Sequence, residues 1–150
     1  MNRNILALDI GEKRIGIAIG NRELAIAMPR CVLHRKNRDA DLAALMNIAR
    51  EEQAAGWVVG LPRQADDSLG ESARKVLGFA RRLQQFSKMP LCFVDEWETT
   101  VQAQDILLSA DMSRQRRRQV VDKLAASLIL ERFFKYGALD MSKVLGNEDV

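Results

Sequence analysis

Two rhythms of apolar positions run along the chain, and where one gives way to the other marks its organisation. Asn4–Asp9 and Arg14–Gly20 are β-rich apolar runs joined by a short, charged, glycine-containing turn, the signature of a hairpin. A third apolar stretch, Ala25–Leu33, predicts another antiparallel strand, with Pro29 pointing to a bend or an edge position. The period then lengthens to that of a helix over Asp41–Ala49, which ends by Gly56. Trp57–Gly60 reads as a short buried strand, followed by a polar loop from Leu61 to Ser68. Helical spacing returns over Ser72–Phe86 through Val76, Phe79, Ala80 and Leu83; Pro90 resets the chain, and Leu91–Val94 predicts a last strand ending on Asp95-Glu96. Two helices close the chain, Thr99–Ser109 and Ser113–Phe134, the second with Ser113 as N-cap. The order β-β-β-α-β-α-β-α-α predicts an α/β fold: a five-stranded mixed sheet, three strands antiparallel and two parallel, with helices on both faces.

A length of 150 residues is that of one domain, 1–150, with about 137–150 as a C-terminal tail. No apolar run approaches the roughly 20 residues that span a bilayer, and strand pattern begins at once, leaving no room for a signal peptide. The expectation is a cytoplasmic protein with no membrane partner. Cys31 and Cys92 lie far apart within apolar segments and read as two reduced core thiols. His34 is the only histidine, which excludes His-based zinc sites, Cys/His nucleophile pairs and the Ser-His-Asp triad together. Enzymatic chemistry here has to run on carboxylates, lysines or water. The net charge is only +3, but the cations are grouped at Lys13-Arg14, His34–Arg38, Arg81-Arg82 and Arg114–Arg118. Such groups suit either a phosphate backbone or solvated helix faces.

Three acids stand out against this pattern. Asp9 ends a strand that otherwise reads as buried, a costly place for a carboxylate without a partner or a metal ion. Asp95-Glu96 ends another strand, and clefts in open sheets form at the carboxyl ends of parallel strands. Asp122 shares a helical stripe with Ala126, Ile129 and Phe133, so it either points at the sheet or serves the helix dipole from an exposed position. If Asp9, Glu96 and Asp122 converge, they make an oxygen cage for Mg²⁺ or Mn²⁺, and two such ions about 4 Å apart can hydrolyse a phosphodiester. Lys13, Arg14, Arg63, Arg116, Arg117, Arg118 and Lys123 are the candidate nucleic-acid contacts around that cage. Gly11 and Gly16 serve hairpin geometry and close packing or touch phosphate; Gly60, Asp95 and Thr99 are candidates for site support.

Four collinear blocks carry a resemblance. Leu8-Asp9-Ile10-Gly11-Glu12-Lys13-Arg14-Ile15-Gly16-Ile17-Ala18, Val58-Val59-Gly60-Leu61-Pro62, Val94-Asp95-Glu96 with Thr99-Thr100, and Asp122-Lys123-Leu124-Ala125-Ala126 resemble the YqgF (RuvX) family. These are Holliday junction resolvases or pre-16S rRNA nucleases of the ribonuclease H-like superfamily, and the resemblance runs from about Ile5 to Tyr136. It implies a three-layer ribonuclease H-like domain and metal-binding, catalytic acids at Asp9, Glu96 and Asp122. It also implies maturation of the 5′ end of small-subunit ribosomal RNA, with cleavage of branched DNA as the older assignment. As partner it implies structured RNA or branched DNA, cut by a monomer or a homodimer. Two positions depart from the family pattern: Trp97 stands where arginine is usual, and Asp67 where glycine is usual. A non-catalytic binding module of the same fold is one rival. A sugar-kinase or actin-type ATPase, which opens on a similar Asp-x-Gly hairpin, is another, but it needs a second such domain.

Overall fold

The computed structural model describes residues 4–62, 69–95 and 114–141, with 114–119 described in backbone only. Strands β1 (Asn4–Ile10), β2 (Arg14–Asn21) and β3 (Ile26–His34) form an antiparallel meander. Strands β4 (Ala54–Leu61) and β5 (Leu91–Asp95) extend the sheet in parallel on the other side of β1, giving the order β3-β2-β1-β4-β5. This is the mixed sheet that the sequence pattern predicts. Three helices are described: α1 (Arg38–Glu51), α2 (Glu71–Ser87) and α3 (Arg114–Tyr136). The expected helix Thr99–Ser109 and the cap Ser113 lie outside the described residues.

Local chemistry explains the boundaries. The Asn37 side chain accepts the Ala40 N–H at 2.9 Å, and Asp39 and Asp41 occupy the first turn of α1, where the helix dipole favours anions. Lys88 closes α2 in the left-handed region (φ 58°), donating its N–H to the Gln84 carbonyl at 2.8 Å. β3 starts one residue later than the apolar run because Ala25 adopts φ 52° to finish the turn from β2. Pro29 does sit on an edge strand. Beside it the register slips, Ile17 facing Cys31 and Ala18 facing Pro29, so Arg30 is the extra residue of a bulge. Arg30 reaches from that bulge to Glu52 at 2.7 Å and Glu51 at 3.0 Å, tying the edge to the end of α1.

Alternation along the strands divides the core in two. Leu6, Leu8, Ile15, Ile17, Trp57, Val59 and Leu61 face α1 and α2, and the buried Trp57 donates its indole N–H to Ser87 Oγ at 3.0 Å. Ala7, Ala18, Val58 and Val94 face α3 through Ala126, Ile129 and Leu130. Side chains on this second face are small, and at Gly16 and Gly20 there is none. A Cβ added at Gly16 would collide with the Asp122 carbonyl, and one at Gly20 with the Ile26 carbonyl of β3 and the Leu130 side chain of α3. The helix therefore packs its backbone almost onto β2.

Gly78 offers the contrast. It lies exposed in the middle of α2 with nothing within 4 Å of an added Cβ. Gly78→Ala should stabilise the protein by about 0.5–1 kcal/mol by restricting the unfolded chain. Thermal melting followed by circular dichroism should show a rise of roughly 1–4 °C.

Both cysteines are free and partly buried, and burial pushes both thiols above their ordinary pKa. They are poorly ionised near neutral pH and therefore weak nucleophiles. After α3 the chain does not leave the domain at once. Gly137 (φ 78°) ends the helix, the Leu139 N–H donates to the Phe93 carbonyl at 2.8 Å, and Leu139 and Met141 pack on the core. The first residues of the expected tail thus stay on the domain, one of them bonded to the backbone of β5. Among the described residues no helix is long and apolar enough to cross a membrane.

Candidate active site

Asp9, one residue before the end of β1, lies directly across the ladder from Gly16. Residues paired across two strands point to the same face, about 5 Å apart. Gly16 is the point at which the Asp122 backbone touches the sheet. Asp9 and Asp122 are therefore neighbours on the α3 face, although 113 positions separate them in the chain. Asp122 is aimed at the sheet, the first of the two orientations its helical stripe allowed. This proximity depends on a glycine: any side chain at position 16 would lift the helix and its acid away.

Gly60 continues the same corner. It pairs with Val94 on β5 and has the parity of Val58, so it too belongs to the α3 face at the carboxyl end of its strand. Asp95 goes the other way: it pairs with Leu61, whose side chain is buried against α1 and α2. Of the acid pair ending this strand, Asp95 is thus placed away from Asp9 and Asp122. Glu96, with the sequence parity of Cys92 and Val94, lies outside the described residues, as do Arg63, Asp67, Trp97, Thr99 and Thr100. Among the described residues no three metal-ligating side chains gather.

The basic residues separate by role. Arg14, at the start of β2, donates Nε–H to Asp122 Oδ2 at 2.6 Å, with the two side chains 27% and 19% exposed. It is the internal counter-ion of the helix acid. Lys13 is exposed at the tip of the turn, available to a ligand approaching the same corner. Lys123 is half-buried beside Asp122, and its charge is felt by the Cys31 thiol on β3. Arg116, Arg117 and Arg118 fall on the first two turns of α3, described in backbone only.

Two residues with a part in this corner were not singled out by the sequence. Arg35 belonged to a basic cluster and Asp41 to the opening of a helical stripe. In the fold, Asp41 is buried, and Arg35 joins it to the turn after Asp9. The signal was present: Asp41 shares the i, i+4 stripe of the buried Leu45 and Ala49, an unusual place for a charge. A cavity of about 830 Å³ lies at the other end of the sheet, between Arg22, Pro90, Cys92 and Phe133. Asp9 and Asp122 lie at the opposite end of the sheet from that cavity.

Known proteins resemble this chain in sequence and in fold. A protein of Paracoccus denitrificans named "Putative pre-16S rRNA nuclease" is 39% identical over 145 residues, covering 97% of this chain and 89% of the relative. A Moorella thermoacetica protein of the same name is 45% identical over 129 residues, 86% of this chain and 92% of that one. Among solved structures, RuvC of T. thermophilus, in complex with a Holliday junction substrate, superposes with TM-score 0.54 at 16% identity, over 91% of this chain and 98% of its own. The fowlpox virus Holliday junction resolvase gives TM-score 0.54 at 15% identity, over 88% and 98%. At such identities these structures speak to the fold alone, which is ribonuclease H-like. Residues 3–136 match the family model described as "RuvX: Holliday junction resolvase", and with relatives of this identity over nearly its full length the chain belongs to the RuvX family.

Proposed function

We propose that this chain is a divalent-metal-dependent nuclease of the cytoplasm that matures the 5′ end of pre-16S ribosomal RNA. Asp9, Glu96 and Asp122 are its metal ligands. The observation that supports the reading is that Asp9 pairs across the ladder with Gly16, the glycine on which the Asp122 backbone rests. The donor chemistry fits: carboxylate oxygens with no histidine or cysteine beside them suit hard cations such as Mg²⁺ or Mn²⁺. Arg14 already shows that Asp122 presents an oxygen to a cation. An ion pair with this much solvent contact is worth about 1 kcal/mol or less, so Arg14 is held lightly enough to be exchanged.

When bound, the metal supplies an activated water and charge neutralisation at the leaving oxygen. The chain's own residues do the rest. Asp9 and Asp122 hold negative charge at the corner, while Lys13 and the released Arg14 bind phosphate oxygens of the substrate strand. Lys123 adds to this basic surround, and Arg63, Arg116, Arg117 and Arg118 are its further phosphate contacts. The names carried by the relatives favour RNA as substrate.

The family description favours a second reading, a Holliday junction resolvase. The two separate on symmetry as well as on sugar chemistry, because cutting a two-fold junction calls for a homodimer and trimming an RNA end only for a monomer. The test is a cleavage assay on a 5′-extended 16S precursor and on a four-way DNA junction, each with EDTA, Mg²⁺ or Mn²⁺. EDTA should abolish cleavage of the precursor, and either cation should restore it at the mature 5′ end. Cleavage of the junction alone would favour the second reading. Cleavage that persists in EDTA, or no cleavage of either substrate, would overturn both.

A further inference from the structure

The charged contact buried deepest among the described residues lies behind the candidate active site and not in it. Asp41, 2% exposed, is the one buried charged residue among them. Its Oδ1 accepts the Lys36 backbone N–H at 3.0 Å and its Oδ2 the Arg35 Nε–H at 3.1 Å. The Arg35 guanidinium also donates from a terminal nitrogen to the Gly11 carbonyl at 2.8 Å, and its carbon lies 4.8 Å from the centre of the Phe79 ring. The Arg35 backbone N–H donates to the Lys13 carbonyl at 2.9 Å, and the Gly11 N–H closes the turn onto the Arg14 carbonyl at 2.9 Å. One side chain therefore braces the turn between Asp9 and Arg14 against α1 and α2. A buried ion pair is weak evidence for stability, since apolar residues often replace one without loss. What the planar fork provides and an apolar contact cannot is a directed hydrogen bond to the carbonyl two residues beyond Asp9.

We propose that Arg35, held in place by Asp41, is a positioning residue for the active site. By fixing the Gly11–Lys13 turn it sets the orientation of Asp9 and Lys13, and with it the affinity of the corner for a divalent cation. This rests on the metal reading given above. The brace acts as the partners behind a metal ligand do, whose loss lowers metal affinity or activity about 10- to 100-fold.

The test uses the full chain and two variants. Arg35→Met with Asp41→Asn removes both charges while keeping an apolar stem on Phe79 and an acceptor for the Lys36 N–H. Arg35→Lys keeps a cation for Asp41 but has no rigid fork to serve Asp41 and Gly11 together. Amide hydrogen exchange reads the turn directly: the Gly11 and Arg35 amides should exchange at least about tenfold faster in both variants, while amides in the centre of α2 keep their rates. Mn²⁺ titration by calorimetry should show Kd rising about 10- to 100-fold in both, with Tm close to the parent's. An ion pair with a purely structural role would be preserved in Arg35→Lys, leaving both readouts unchanged; that result overturns the proposal. Faster exchange with unchanged Mn²⁺ affinity overturns it as well. If the parent itself binds no Mn²⁺, the metal reading fails and takes this inference with it, and the exchange rates then report only on the turn.

Discussion

Asp9→Asn should end metal-dependent cleavage while leaving the protein folded. Asparagine keeps the size and shape of the side chain at a half-buried strand end, so packing beside its ladder partner Gly16 is preserved. What disappears is a negative charge within a strand spacing of the point where Asp122 meets the sheet. Mg²⁺ sheds its water reluctantly and needs anionic oxygens, which a neutral amide does not supply. Residues that merely orient a metal ligand cost about 10- to 100-fold when removed, so loss of a ligand should cost at least the upper end of that range. The same change relieves repulsion between two neighbouring acids, and this offsets the loss of other contacts made by Asp9. Tm should therefore stay within a few degrees of the parent's. Cleavage rates on the 5′-extended precursor and a thermal melt check both halves. A variant cutting within tenfold of the parent would remove Asp9 from the site.

Gly16→Ala should destabilise the protein substantially, although it adds a single methyl group. The new Cβ meets peptide backbone, the Asp122 carbonyl, and not the yielding end of a side chain. Relief requires α3 to rise from β2, which loosens Ala126, Ile129 and Leu130 from Ala7, Ala18 and Val58. Overpacking of this kind costs about 1–3 kcal/mol, and more when backbone must move. For a chain of this size that corresponds to a fall in Tm of roughly 2–12 °C. The displaced helix carries Asp122, so Mn²⁺ affinity should fall along with stability. Gly78→Ala is the control, because the same substitution in open space should raise Tm. An unchanged melt for Gly16→Ala would mean that the contact between helix and sheet is looser than the structure has it.

Much of this architecture is legible in the chain because it rests on local rules. The alternation in β1 and β2 and the charged turn between them describe a hairpin with one face for each core, and that is how they pair. The helical stripes in α1 and α2 and the edge position of Pro29 are equally local. The three acids stand out at two strand ends and on a helical stripe. A metal cage followed only if they converged, which the resemblance implied, and the stripe of Asp122 left two orientations open. Nothing local indicates that the bare position of Gly16 is where α3 lands, because a glycine between isoleucines reads equally well as turn geometry.

Residue order thus determined the elements, their periods, the mixed sheet they build and the family to which the chain belongs. Only the tertiary structure decided which charges meet. Arg14 pairs with Asp122 across 108 positions, and Arg35 grips Gly11 across 24. Secondary structure follows from neighbours a few residues apart, whereas a charge finds its partner through the packing of whole elements. That packing is set here by the absence of a side chain at one position of β2.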